Sequence, residues 1–385
     1  MLKQLTYTLV VLFFCASCAS DDQNIVGLNL PAPKSVSNVK PKLVDLKKQK
    51  DINALAGSLT KKRALFIGEI HDELEHHQNQ LLLIKHLYEL YPYIAIGVEF
   101  FQQPFQEYVD KYIDGLIDER EMLIKTEYFK RWGVDYRMLQ PILRFAREKH
   151  IPVLALNISD EIHHKVFEGG FKSLSDEDLT HIPDDIAPVS DDYRNRLEAI
   201  YSTHPVNDNF DNFIEGQQLW DEAMADSAAK YLEQHPQRLL VVLSGLGHMI
   251  YGDGIPRSLN RRIGGDYSSI AINGDEFAEY PGIADFLLAT SDSEQLPDSG
   301  MLGIKVNDSV NGVFVTGLSS DGAAKAVGIS VQDRINSLDG TKIENFFEIR
   351  SIMFDKRPGD TVSVEVLRGH LQAKKEILKF DVTLR

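Results

Sequence analysis

ALFIGEIHDELEHHQNQ, from Ala64 to Gln80, is a short apolar run that breaks into a packet of acids and histidines and then into helical spacing. Ala64 to Ile67 is too short for a helix and is bounded by Gly68, whereas Leu74, Leu81, Leu82, Ile84 and Leu87 recur at helical intervals. The stretch therefore reads as a strand that hands over to a helix, with Glu69 and His71 at the junction. In open parallel sheets ligands gather at the carboxyl ends of strands, because loops and helix amino ends converge there.

Working outward, three more segments have the same texture: Tyr93 to Glu99, Pro152 to Asn157 and Leu239 to Ser244. Each is short, apolar and followed by polar or glycine residues, and long helical stretches separate them, which indicates a parallel sheet covered by helices. Phe171 to Gln234 contains no strand and reads as a helical insertion with an acidic, proline-punctuated loop at Asp176 to Asp192. Tyr267 to Ile272 and Ala284 to Thr290 complete this α/β domain, expected over residues 56–292, and Ser291 to Ser299 is a polar linker.

The strands deliver Glu69 and His71, then Glu99, then Asn157, then Gly245 to His248 to one edge. Two carboxylates and two imidazoles on one edge suit a divalent metal such as zinc or manganese, or a general acid and base pair. In the metal reading His71, Glu99 and His248 are the ligands, Glu69 is the base and metal-bound water is the nucleophile. The competing readings are structural: Glu69 caps a helix, and His248 is a surface histidine. His76 and His77 point different ways on the helix, and a solvated role is expected for at least one.

A chain of 385 residues with 43% hydrophobic content is globular and long enough for two domains. Its net charge of −16 and the absence of any basic run argue against non-specific nucleic-acid binding. The first eighteen residues, MLKQLTYTLVVLFFCASC, have an export-signal pattern whose apolar run falls short of the roughly 20 residues that span a bilayer. Cys15-Ala16-Ser17-Cys18 resembles the bacterial lipobox, with Cys15 where leucine is usual; the resemblance implies a lipidated Cys18 and an outer-membrane anchor. A plain signal peptide is the alternative. The mature chain then keeps one cysteine, itself lipidated, and no disulfide. Residues 19–55 are polar and proline-punctuated, as in a flexible tether.

After the linker, glycines recur between short alternating segments: SGMLGIKV, NGVFVTGL, GAAKAVGISVQDRI, LDGTKI and PGDTVSVEVLRG. Residues 299–385 resemble a bacterial PDZ domain, with Gln332 before Asp333 where glycine is usual. The resemblance implies a small β-rich domain with a peptide groove, in which backbone amides of Leu302, Gly303 and Ile304 receive a terminal carboxylate and a guest strand adds beside Ile304 to Val306. A structural appendage with no peptide is the other reading.

Gly68-Glu69-Ile70-His71, GVEFF around Glu99, GQQLWDEAMA from Gly216, and Gly245-Leu246-Gly247-His248 followed by GDGIPRSL together resemble the ChaN family of haem-binding lipoproteins. That family shares a superfamily with Tiki proteases, TraB proteins and erythromycin esterases. The resemblance implies an open, mostly parallel sheet flanked by helices with a helical subdomain, and metal-dependent hydrolysis where the motif is catalytic. For ChaN it implies haem capture at the outer membrane during iron uptake, a homodimer enclosing stacked haems, and a tyrosine on the iron. Tyr136, in RWGVDYR with Trp132, is the first choice for that ligand, and Tyr193 and Tyr201 are further candidates. Ordinary i, i+4 helix packing of Trp132 and Tyr136 is the competing reading. Three functions follow: a haem-binding lipoprotein whose PDZ domain docks a partner's carboxyl terminus, such as that of an outer-membrane receptor; a metal-dependent hydrolase of peptides or esters; and an interaction protein that works through the PDZ domain.

Overall fold

The computed structural model describes residues 52–203, 209–272, 277, 280–288, 295–369 and 376–385. The expected signal peptide, Cys18 and most of the tether lie outside these residues. The chain divides into two compact units. The first comprises the described residues up to Ile117 and those from Pro141 to Glu294. The second comprises Asp118–Gln140 and Gln295–Arg385.

The first unit opens with α1 (Ile52–Leu59), which starts inside the expected tether, then β1 (Ala64–Glu69) and α2 (Leu74–Leu90). β2 (Ile94–Gln102) and α3 (Gln106–Ile113) follow. The second unit contributes α4 (Glu119–Lys125), α5 (Tyr128–Arg131) and the start of α6 (Tyr136–Lys149). The chain returns through β3 (Val153–Asn157), α7 (Asp160–Gly169), α8 (Asp176–Leu179), α9 (Asp191–Thr203) and α10 (Phe210–Gln234). β4 (Leu239–Gly245), α11 (Ile255–Ile263), β5 (Tyr267–Ile272) and β6 (Phe286–Leu288) complete it. Every expected strand is present, and the fold is the expected one of a parallel sheet with a helical subdomain.

The six strands pair in parallel in the order β3-β2-β4-β1-β5-β6. β1, β2 and β4 are buried along their whole length, which is why their sequences are nearly continuous apolar runs rather than alternating ones. One face is closed by α10: Trp220, Met224, Ala225 and Ala228 pack on Phe66, Ala95, Leu156, Leu240 and Val242. The alanines let α10 lie close to the sheet. β2, β4 and β1 are adjacent, so the order sets their carboxyl ends side by side at the topological crossover, with Glu69 in register with Gly245.

The second unit holds β7 (Ile304–Ser309), β8 (Gly312–Leu318), α12 (Ala323–Ala326), β9 (Arg334–Leu338), β10 (Thr341–Lys342), α13 (Phe346–Met353), β11 (Thr361–Arg368) and β12 (Glu376–Thr383). Its antiparallel sheet runs β12-β11-β9-β8-β7, with β10 folded back on β9, around a core that includes Val313, Val315, Ile335, Ile352, Val362 and Val364. This is the β-rich domain expected after the linker.

Residues 118–140 lie within the sequence span expected for the first domain, yet they belong to the second unit. Their aromatic side chains explain the placement. The Tyr136 and Phe129 rings lie 5.2 and 6.4 Å from the Phe354 ring, and the Arg350 guanidinium sits 4.7 Å over Phe129. Trp132 and Tyr136 do not share a helix: Trp132 ends α5 in an extended conformation, and Tyr136 begins α6.

Gln332, at the position where the PDZ pattern has glycine, adopts a left-handed φ of 74°. The next residue, Asp333, is buried and takes Arg368 through both its carboxylate oxygens. A side chain at left-handed φ costs roughly 1–2 kcal/mol, so Gln332→Gly is expected to raise the unfolding free energy of the second unit by about 1 kcal/mol, and its denaturation midpoint with it. Chemical denaturation followed in that unit checks this, and an unchanged or lower midpoint is the contrary result.

Candidate functional site

Glu69, His71, Glu99 and His248, the four residues expected at the edge, meet in one buried cluster. Glu69 Oε1 lies 2.7 Å from His71 Nδ1. His71 Nε2 faces Glu99 Oε1 at 3.9 Å, and His248 Nε2 faces the same oxygen at 3.3 Å. The other Glu99 oxygen accepts the backbone N–H of Gly245 at 2.7 Å. Asn157 is a support rather than a member: its amide donates to the Glu99 backbone carbonyl at 3.0 Å. The β2–β3 register shifts between Val98 and Gln102, an irregularity of the kind that re-aims a side chain beside a site.

The His248 ring is oriented by a residue the sequence reading did not single out. Asp221 Oδ1 lies 2.6 Å from His248 Nδ1, and Asp221 Oδ2 accepts the Tyr193 hydroxyl at 2.7 Å. Tyr193 therefore enters the site, through Asp221. The resulting line is Glu69, His71, Glu99, His248, Asp221, Tyr193, in which each imidazole has one nitrogen on an outer carboxylate and the other turned toward Glu99. A carboxylate on the far nitrogen fixes tautomer and ring direction. The signal for Asp221 lies in GQQLWDEAMA: Gln217 and Asp221, spaced i, i+4, are buried polar residues on a helix face otherwise committed to the core.

Glycines make room for this line. A Cβ on Gly245 would lie 2.9 Å from His71 Cε1, and one on Gly68 would lie 2.6 Å from Met249 Sδ. Neither His76 nor His77 is solvated, contrary to expectation. His76 Nδ1 accepts the Ile70 amide at 2.9 Å, and His77 Nε2 lies 2.9 Å from the His71 carbonyl. Both buried rings pin the loop that carries His71.

Burial opposes charge on His71, but Glu69 and Glu99 outweigh it and raise its pKa to about 9. Burial opposes charge on His248 as well, and Glu99 and Asp221 raise it to about 10. Glu99, against its own burial, is held down to about 2 by His248 and His71. The cluster is thus a set of ion pairs with protonated imidazoles, and each Nε2–H is a donor aimed at Glu99. Among the described residues no group of three or more His, Cys, Asp or Glu side chains is set to hold a metal ion.

These shifts fix a pH dependence. The raised His71 and His248 values add stability below pH 6.5 that is lost as pH climbs through about 9 and 10. His76 and His163, lowered by burial to about 4, act oppositely, adding stability above 6.5 that is lost on acidification toward 4. Glu99 adds stability above 4.5 that is lost toward about 2. The melting temperature is expected to peak near pH 6.5, to fall toward pH 9, and to fall less steeply there in His248→Gln. A parent profile that keeps rising to pH 9 contradicts the ion pairs.

Tyr136 and Trp132 belong to the second unit, whereas the cluster belongs to the first. The Tyr136 hydroxyl donates to the Glu119 carboxylate at 2.9 Å, and the ring is fully buried against Tyr128 and Phe354. Beside His248, an aromatic wall continues through Trp220, whose ring lies 4.9 Å from His248, to His163, 4.6 Å from Trp220, and on to Phe167, 5.8 Å from His163. The helix carrying Gly216 lies close against the helix carrying His163, and the His163 Nε2 is buried with no hydrogen-bond partner. Gly216 permits the approach: a Cβ there would lie 3.2 Å from Phe167 Cα. The sequence reading did not single out His163.

Residues 55–259, more than half of the chain, match the model of the haem-binding uptake family ChaN of the Tiki superfamily. The chain belongs to this family. Residues 300–384 match the PDZ domain model. A ChaN structure from Campylobacter jejuni, described as cofacial haem binding, is similar at 17% identity and a TM-score of 0.51, covering 62% of this chain and 91% of that one. At that identity the likeness is one of fold. The Do-like serine protease HtrA of Bacillus subtilis is 33% identical over 90 residues, 22% of this chain and 20% of the protease. HtrA of Lactobacillus helveticus is 32% identical over 75 residues, 19% and 18% respectively. The chain therefore spans about a fifth of the length of these curated relatives.

Proposed function

We propose that this ChaN-family chain is an exported, outer-membrane lipoprotein, anchored at Cys18, that captures haem for iron uptake in its first domain and docks a partner's carboxyl terminus through its PDZ domain. The observation that carries the haem reading is the unpartnered, buried Nε2 of His163. Iron ligation needs a neutral imidazole with a free nitrogen, and burial keeps His163 neutral. Trp220 and Phe167 flank it and supply the apolar faces a macrocycle requires. Haem bound here would supply a ferric iron, and the His163 Nε2 would be the group that holds it.

The ion-pair cluster is less suited to direct ligation. Its Nε2 atoms lie within 3.9 Å of Glu99, which leaves no room for a macrocycle between them. In the haem reading the cluster orders the sheet edge on which Trp220 rests. The test is a visible-absorbance titration of ferric haem into the purified chain with Cys18 replaced. A saturable Soret band of fixed stoichiometry is expected, and a featureless, non-saturating response overturns the reading.

A further inference from the structure

β12 is the end strand of the second sheet, and it pairs with β11 from Glu376 to Thr383 without a register shift. The direction of its backbone groups is fixed near its carboxyl end. The Leu384 amide donates to the Asp360 carbonyl at 2.8 Å, on the β11 side, whereas Arg385 exchanges both its backbone groups with Met301 on the opposite side, at 2.8 and 3.2 Å. Backbone groups alternate sides along an antiparallel strand, so Ile377, Lys379, Asp381 and Thr383 direct theirs outward, past Met301. The side chains of these residues are exposed, Ile377 at 62%, while Leu378, Phe380 and Val382 turn to the core. Such an edge is a template for another strand.

We propose that this edge pairs with the same edge of a second copy of the chain, antiparallel about a two-fold axis at Phe380, so that Lys379 of each copy lies opposite Asp381 of the other. The strand's own sequence favours that register. With the axis at Phe380, Lys379 faces Asp381 and Ile377 faces Thr383, each pair twice, and all of these residues have the outward backbone groups that a hydrogen-bonded pair requires. An axis at Lys379 or at Asp381 sets that residue against its own copy, and an axis at Val382 sets Lys379 against Arg385; like charges directly opposite are destabilising. A lysine in the middle of an edge strand ordinarily blocks pairing. Here Asp381, two residues on, turns it into a mark of register. β7 lies at the other end of the sheet, so pairing through β12 leaves that strand open on both copies and presents two docking grooves to an oligomeric partner. The pairing itself lies within the second unit and needs neither a docked peptide nor haem.

Sedimentation equilibrium of the purified chain, with Cys18 replaced and no haem added, tests this from low to high micromolar concentration. The parent is expected to exchange reversibly between monomer and dimer. Lys379→Asp and Asp381→Lys each set like charges opposite at both symmetric positions, and each is expected to weaken association at least about ten-fold. An equimolar mixture of the two variants is expected to regain the parent's association, because each copy then offers the charge the other lacks. The double variant carrying both substitutions should regain it as well. A parent that stays monomeric throughout, or single variants that associate like the parent, overturns pairing through β12. Weakened single variants whose mixture does not recover overturn the register.

Discussion

Replacing Glu99 by glutamine is expected to lower the melting temperature of the first domain by about 10 °C at pH 6.5. Glu99 is 2% exposed and is the anion toward which both imidazoles turn. Removing one partner of a buried ion pair costs about 3–5 kcal/mol because the remaining charge stays desolvated. The other sites in the line cannot compensate. Glu69 and Asp221 already hold the opposite nitrogens, and the glutamine amide could replace only the bond to the Gly245 N–H. Scanning calorimetry decides it, and a shift under about 2 °C would remove the charge argument.

Replacing Gly254 by alanine is expected to cost a similar amount by a different route. Gly254 has φ 60° and ψ −127°, a region open to glycine alone, and a Cβ there would lie 2.3 Å from the His248 carbonyl oxygen. That contact is with backbone, so relief must move the turn carrying His248 away from Asp221. The expected loss is about 3–5 kcal/mol, from strain together with a broken buried pair. The proton resonances of His248 in the parent and the variant report the displacement. Unchanged resonances in a folded Gly254→Ala protein contradict the account.

The sheet and the meeting of four residues of the candidate site were legible because each buried strand is a compact apolar run that ends in polar residues, and strand ends share one edge in a parallel sheet. Glu69 and Glu99 announce themselves that way. Asp221 does not, because it sits within a helix whose other buried residues are core, and its meaning depends on His248 arriving beside it. His163 is similar. What sets it apart is that no hydrogen-bond partner meets its Nε2, which no spacing encodes. Residues 118–140 show a third limit: Phe129 and Tyr136 read as ordinary helix aromatics, and only their contact with the distant Phe354 assigns them to the second unit. The PDZ pattern was legible through its glycines, and the departure at Gln332 coincides with a strained backbone.

The most direct test of haem capture by the first domain is the electron paramagnetic resonance spectrum of the ferric haem complex, recorded for the parent, His163→Ala and Tyr136→Phe. With His163 on the iron, the parent signal persists in Tyr136→Phe and is altered or lost in His163→Ala. A parent-like signal in His163→Ala contradicts the ligand assignment, and a parent that holds no haem contradicts capture itself.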